Sequence, residues 1–282
     1  MKIFLPNDSQ QGIGGGWTFR RNFEKGMQSI GHEIVADITQ ADIALVVGVT
    51  MVTWATMEAI KQTKAKIIVR LDNVPRNSRN RNTGTSRLQG FCKMADDVIW
   101  QCQWAKDYLI DFIGKEGHIV FNGVDTNIFK TEGVKVDFGN REHIYLYSRF
   151  NRDETKNWEV AWYEYQLIQR ADKDAKLIIV GKFSPETTQY NFDFFRGERV
   201  EFQSVIDNAE TMARIMRGCK YLFATYYNDC YSNTYQEALA CGMELYKPNM
   251  SGGTPELIKN GVISLEQMAR AYEKVFMEVL SK

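Results

Sequence analysis

No stretch of this chain stays apolar long enough to cross a bilayer. The longest candidate, Ile43–Val52, runs ten residues and is interrupted by Gly48 and Thr50, where a span needs about 20. The opening Met-Lys-Ile-Phe-Leu-Pro turns polar at once, unlike a secretory leader. Cysteine is scarce: there are five, an odd number, and no two stand in a C-x-x-C pair. That excludes a disulfide framework and a structural zinc site and points to a reducing, cytoplasmic setting. Net charge is also missing. The 35 basic residues balance 35 acidic ones, which excludes a globally basic nucleic-acid binder and an acidic solvating tail. Neither G-x-S-x-G, a P-loop, H-E-x-x-H, an internal repeat nor a low-complexity tract occurs. The three histidines, His32, His118 and His143, lack metal-ligand spacing and fall at predicted strand starts, so they read as structural.

What is present is an ordinary globular composition, 44% hydrophobic and 25% charged over 282 residues, enough for about two domains. Short β-rich runs alternate with amphipathic stretches. Phe19, Phe23, Met27 and Ile30 recur at spacings of 4, 4 and 3 before Gly31, one face of a helix followed by a natural C-cap. Strand–helix alternation of this kind predicts parallel sheets with helices on both faces. The polar stretch from Lys130 to Glu142 contains Gly133 and Gly139 and reads as a linker. After it the alternation resumes. The last segment, with Ser264 and Gln267 set as a capping box and an apolar stripe from Leu265 to Val279, predicts a terminal helix. The expected architecture is α/β: two Rossmann-like doubly wound domains, 1–132 and 133–263, facing a cleft, with a helix over 264–282 packing back toward the first. Ligands of such sheets sit at the carboxyl ends of the strands.

Three motifs meet that expectation. Gly12-Ile13-Gly14-Gly15-Gly16 lies between the first strand and first helix. Its backbone amides suit close approach to an anion, although Trp17 breaks the full dinucleotide fingerprint. Arg149 follows a predicted strand, and Lys156 stands seven residues on at a helix start. A planar guanidinium and a point charge so placed suit a diphosphate. In the third, Asp229 sits in a loop, Ser232, Asn233 and Thr234 open a helix, and Glu237 lies eight residues after Asp229. Small polar residues at a helix start form an anion site, and a carboxylate there can accept from vicinal hydroxyls.

The stretch from Asp229 to Gly242, ending Glu237-Ala238-Leu239-Ala240-Cys241-Gly242, resembles the E-x7-E signature of the retaining glycosyltransferases of family 4, which have the GT-B fold. Other landmarks fall in the family's order. They are Gly14-Gly15, Gly31-His32-Glu33-Ile34, Asn122-Gly123-Val124-Asp125 with Phe129, Ser148-Arg149 with Lys156-Asn157, Val180-Gly181-Lys182, and Gly252-Gly253 with Glu256. The resemblance implies a nucleotide-sugar donor, UDP-sugar favoured, with no further cofactor and no metal. It implies that Arg149 and Lys156 hold the diphosphate and that Glu237 binds the ribose. Asp229 with Ser232, Asn233 and Thr234 would hold the sugar and phosphates, with Gly15, Gly16 and Gly181 lining the donor site. Two departures stand out: Asp229 replaces the usual Glu, and Cys230-Tyr231-Ser232-Asn233 replaces a glycine pair around an aromatic.

Asp72 follows the fourth predicted strand and is placed to orient a substrate or take a proton. The loop expected after it, from Asn73 to Arg87, carries Arg76, Arg79, Arg81 and Arg87 with no acid. These arginines suit an anionic acceptor, with DNA phosphates, a phospholipid head group or an anionic glycan as candidates. Trp100 and Trp104 lie nearby in sequence and suit either stacking or a core. The one D-x-D, Asp172-Lys173-Asp174, falls at the wrong end of a strand for a metal. Together these features imply retaining, metal-independent glycosyl transfer to a hydroxyl acceptor. The alternatives are a nucleotide-sugar epimerase and a non-catalytic nucleotide-sugar-binding protein.

Overall fold

The computed structural model describes residues 1–8, 12, 14–71, 81–150, 153–183 and 199–282. The chain forms two compact units, Met1–Gly123 with Ile263–Lys282, and Val124–Val262. Each is a doubly wound parallel sheet.

The first unit holds β1 (Lys2–Phe4), β2 (Glu33–Val35), β3 (Ile43–Val46), β4 (Lys66–Leu71), β5 (Asp97–Trp100) and β6 (His118–Ile119), in the order β2-β1-β3-β4-β5-β6. Its helices are α1 (Gly15–Ser29), α2 (Trp54–Lys61), α3 (Arg81–Met94) and α4 (Gln103–Ile113). All four residues of β3 are buried, as expected of a strand covered on both faces. Ile43, Leu45 and Val47 join one core with Phe19, Phe23 and Met27 of α1; Ala44 and Val46 alternate to the other face.

The terminal helix, Leu265–Leu280, closes that core with Leu265, Met268, Tyr272, Val275, Phe276 and Val279. Ser264 and Gln267 form the capping box at its start. Tyr272 meets Phe23 edge-on with centroids 5.0 Å apart, and Phe276 meets Phe23 at 6.2 Å. Gly26 lets the two helices approach, since a Cβ there would stand 2.9 Å from the Leu265 carbonyl oxygen.

One expectation is revised in this unit. The tract from Asn73 to Arg87 is not one loop, because a helix begins at Arg81. Leu88, Phe91 and Cys92 are buried at helical spacing, and their anchoring carries the polar turn before them into the helix. Trp100 is fully buried and donates to the Glu116 carbonyl at 2.7 Å, so it belongs to the core.

The second unit holds β7 (Ile144–Phe150), β8 (Lys176–Gly181), β9 (Val200–Gln203), β10 (Tyr221–Phe223) and β11 (Glu244–Tyr246), ordered β11-β10-β7-β8-β9. Its helices are α5 (Trp158–Ala171), α6 (Ala209–Gly218), α7 (Asn233–Ala240) and α8 (Thr254–Asn260), so the terminal helix of the first unit is α9. Trp158, Ala161 and Tyr165 of α5 pack on Tyr145, Tyr147, Leu177 and Ile179. The polar stretch read as a linker is tied down. Arg217 of α6, itself buried, donates to the carbonyls of Val134 at 2.8 Å and Ile128 at 3.1 Å, and Val136 donates to the Arg214 carbonyl at 3.0 Å. Those bonds explain why the second unit begins at Val124.

Among the described residues, no helix is long and apolar enough to cross a membrane. Truncating the α9 anchor, Phe276→Ala, is expected to destabilise the first unit by about 3–5 kcal/mol. Urea unfolding followed by amide exchange in β1 and β3 measures it; a loss below about 1 kcal/mol would contradict the packing.

Candidate functional site

In the second sheet the chain runs from β7 outward to β9, then returns to place β10 on the other side of β7. Loops leaving the carboxyl ends of β7 and β10 therefore diverge and open a crevice, the general ligand position of doubly wound sheets. Arg149, Lys156, Asp229, Ser232 and Glu237 lie on the segments that follow β7 and β10.

β7 ends Ser148-Arg149-Phe150, and its register with β8 shifts between Tyr147 and Phe150. Arg149 takes a left-handed conformation, φ 64°. For a residue with a Cβ this costs about 1–2 kcal/mol, and a bulge re-aims a side chain. Gly181 ends the neighbouring strand against this irregularity; a Cβ there would meet the Phe150 carbonyl oxygen at 2.2 Å.

Lys156 closes a short 3-10 turn, Glu154–Lys156, and only 5% of it is exposed. Its carbonyl accepts from the hydroxyls of Tyr147 at 2.9 Å and Thr225 at 3.0 Å. Its ammonium donates to Asp229 Oδ2 at 2.9 Å and lies 4.0 Å from the centre of the Tyr226 ring. Tyr226 in turn donates its hydroxyl to the Ser148 carbonyl at 2.6 Å and its backbone N–H to the Tyr235 hydroxyl at 2.9 Å. The two rings stack with centroids 5.0 Å apart. Burial raises the phenols of Tyr147, Tyr226 and Tyr235 well above their usual range, which keeps these hydroxyls protonated.

The Asp229 loop is backed from behind. Asn228 donates its N–H to Ser251 Oγ at 2.9 Å, and Gly253 donates its own to the Asp229 carbonyl at 2.8 Å. Gly252, at φ +65°, passes so close that a Cβ would stand 2.3 Å from the Asp229 carbonyl oxygen.

Ser232 caps α7 without using its side chain for the cap. It is 4% exposed, and its Oγ has no hydrogen-bond partner among the described residues. A buried, unsatisfied hydroxyl costs about 1–3 kcal/mol, and this one stands at a helix start, where backbone amides favour an anion. Asn233 is half-buried and Thr234 buried in the first turn. Glu237, one turn further, is half-buried. The protein packed around it pushes its carboxyl up to about 7, against the opposing pull of the Arg149 guanidinium.

The first unit holds the remaining candidates. Gly15 and Gly16 form the first turn of α1, capped by Gly14 without a side chain. Among the described residues, a Cβ on Gly14 or Gly15 would meet nothing within 4 Å. Arg87 donates to the carbonyls of Val52 at 3.2 Å and Val49 at 3.4 Å, which ties it to the adjoining backbone. Asp72, Arg76 and Arg79 lie outside the described residues, and Arg81 is described only in its backbone, as the first residue of α3. Trp104 stacks on the exposed Tyr108 with centroids 5.4 Å apart.

The histidines sit at strand starts beside carboxylates: His32 with Glu273 at 2.9 Å, His118 with Asp97 at 3.3 Å and His143 with Asp172 at 2.6 Å. In the D-x-D, Asp174 pairs with Arg199 at 3.5 Å. Among the described residues no cluster of three or more metal-ligating side chains occurs.

Sequence reading missed Tyr226 and Tyr235, and missed that Ser251 and Gly252 support Asp229. The position of Tyr226, three residues past β10 on the ligand edge, was the available signal.

No family model matches the chain, and no curated protein matches it. Solved structures do. Anabaena HepE in complex with UDP is 14% identical with a TM-score of 0.64, over 99% of this chain and 92% of that one. Sucrose-phosphate synthase from Thermosynechococcus elongatus is 13% identical with a TM-score of 0.67, over 99% and 90%. An alpha-glucosyltransferase in complex with UDP and a 13-mer DNA containing a HMU base is 13% identical with a TM-score of 0.60, over 100% and 90%. At these identities the likeness shows the fold: two doubly wound parallel sheets and a C-terminal helix, as in GT-B proteins.

Two outcomes test this geometry. Gly252→Ala adds a clash to a left-handed residue and is expected to cost about 2 kcal/mol, lowering the melting temperature by several degrees and displacing Asp229 from Lys156 in a crystal structure. The second concerns pH. With its carboxyl raised to about 7, Glu237 holds a proton in the folded chain between its ordinary value and 7 but loses it in the unfolded chain. Stability from this group is therefore present at low pH, falls as pH rises toward 7, and is flat above. Glu237→Gln should flatten that limb, read as the difference in melting temperature between the two proteins from pH 5 to 8.

Proposed function

We propose that the chain is a glycosyltransferase that moves a sugar from a nucleotide-sugar donor, with UDP favoured, to a hydroxyl acceptor. The observation that carries this reading is the convergence at the carboxyl edge of the second sheet. Arg149, the buried Lys156, the unsatisfied Ser232 hydroxyl at the start of α7 and Glu237 meet there. Two cations and a helix start are what a departing diphosphate requires. Glu237, further along the same helix, suits the ribose hydroxyls. Asp229, with Asn233 and Thr234, borders the position of the sugar. Gly181 shapes the end of β8. HepE and the alpha-glucosyltransferase were both solved with UDP, which supports the choice of nucleotide.

In the reaction the bond from the anomeric carbon to the diphosphate oxygen breaks as the acceptor oxygen bonds to that carbon. We propose that attack comes from the face the leaving group departs, with retention, and that the leaving phosphate takes the acceptor proton. Arg149, Lys156 and the α7 amides stabilise the charge that accumulates on the diphosphate, the task a metal performs elsewhere. For the acceptor we propose an anionic hydroxyl compound. Hydroxylated bases in DNA are the first candidate, because Arg76, Arg79 and Arg81 lie in an acid-free tract after β4 and one structural neighbour was solved with a 13-mer DNA containing a HMU base. A glycan or lipid is the other. Asp72 then orients the acceptor.

The test is a thermal-shift panel of UDP-, GDP- and ADP-sugars with and without EDTA, followed by transfer to a hydroxymethyl-base duplex. One nucleotide series should raise the melting temperature, EDTA should not change the effect, and the product should keep the donor's anomeric configuration by NMR. A shift with none of the nucleotides would sink the proposal, because a ligand bound only by the folded chain must stabilise it. Release of free sugar without an acceptor would mark an epimerase, and binding without turnover a binding protein.

A further inference from the structure

Tyr226 makes two contacts that no motif demands. Its hydroxyl reaches across from the β10 loop to the Ser148 carbonyl, 2.6 Å away. That carbonyl belongs to the peptide that enters Arg149, so its direction and the φ of Arg149 are set together. The strand ladder shifts register at this point, and a carbonyl at a bulge needs a donor from elsewhere. The Tyr226 hydroxyl supplies one and thereby stabilises the left-handed φ of 64° that aims Arg149. The face of the same ring lies 4.0 Å from the Lys156 ammonium, where the ring quadrupole attracts the cation. The ring cannot drift, because it stacks on Tyr235 and its backbone N–H is held by the Tyr235 hydroxyl.

We propose that Tyr226 is a positioning residue that sets the spacing of the two cations, Arg149 through its hydroxyl and Lys156 through its ring. This inference rests on the diphosphate reading of the site, and it adds a residue outside the motifs that suggested that reading. Tyr226 itself needs no contact with the ligand.

The experiment separates this role from mere packing. Tyr226→Phe keeps the ring, the stacking and the contact with Lys156, and removes only the hydroxyl. UDP binding is measured by calorimetry in wild type, Tyr226→Phe, Arg149→Ala and the double variant. Loss of the hydroxyl should weaken UDP about tenfold when Arg149 is present and by less than about twofold when Arg149 is already Ala. Tyr165→Phe removes a buried hydroxyl of the same sheet that bonds the Ala175 and Arg199 carbonyls and not Ser148, and its effect should be the same factor in both backgrounds. Equal factors for Tyr226→Phe in both backgrounds would overturn the inference. If wild type binds neither UDP, GDP nor ADP, the donor reading fails on its own. The crystal structure of Tyr226→Phe then decides the present point: Arg149 leaving the left-handed region supports it, and an unchanged φ overturns it.

Discussion

Lys156 brings a full positive charge to a place where only 5% of the residue meets water. Removing an ammonium from water costs several kcal/mol unless its surroundings replace the lost hydration. The second unit is arranged around that requirement. Asp229 supplies the counter-charge at 2.9 Å, and the Tyr226 ring supplies a negative face at 4.0 Å. The backbone of Lys156 is fixed by hydroxyls from two strand ends, Tyr147 on β7 and Thr225 just past β10. Fixing the backbone matters because a long side chain loses about 2 kcal/mol of rotamer entropy when it is held in one geometry. The glycine turn at 252–253, 23 residues beyond Asp229 in the chain, supports the counter-ion from behind. The ion pair thus couples four segments of sequence at one sheet edge.

The parts of this arrangement that were legible in the sequence are those where chemistry coincides with a strand end. Arg149 and Lys156, or Asp229 and Glu237, stand out because they follow predicted strand ends in an ordered set that resembles a known family. The alternation of strands and helices was equally plain, because β3 and its neighbours, buried on both faces, read as short continuous apolar runs. What stayed hidden has a common cause. Tyr226 looks like one more aromatic in a chain that contains 13 tyrosines, and its role depends on a carbonyl 78 residues away. The start of α3 was hidden because its first turn is polar and its anchors, Leu88 and Phe91, come later. Arg217 carries no mark in the sequence, yet it is buried and donates to carbonyls at 128 and 134, the latter in the polar stretch. Such contacts between distant segments leave no periodic trace.

The first unit offers a contrast that clarifies the second. It too buries a cation near the carboxyl edge of its sheet: Arg70, at the end of β4, has its guanidinium carbon 3.6 Å from the centre of the Phe19 ring. Arg70 donates to the Asn122 side chain at 2.8 Å and to the Val47 carbonyl at 3.4 Å. It thereby braces the ends of β3 and β4 and the stretch after β6. Guanidinium suits that task, since its planar fork serves several acceptors at once and stacks on a ring. A lysine could reach only one of them well. Conversely, the second unit uses an ammonium where a single compact charge faces one carboxylate and the face of one ring.

Charge arithmetic at that edge then depends on Glu237. Arg149 and Lys156 contribute two positive charges and Asp229 one negative. With Glu237 ionised the four sum to zero. With Glu237 protonated the edge carries one net positive charge. A carboxyl raised to about 7 lies at the midpoint between these states near neutral pH, and burial, the larger of its two influences, is what places it there. A fully exposed glutamate at the same position would be ionised at neutral pH and would cancel the second cation. The burial of Glu237 therefore helps set the charge of this edge near neutral pH, through the same desolvation that makes Lys156 depend on Asp229.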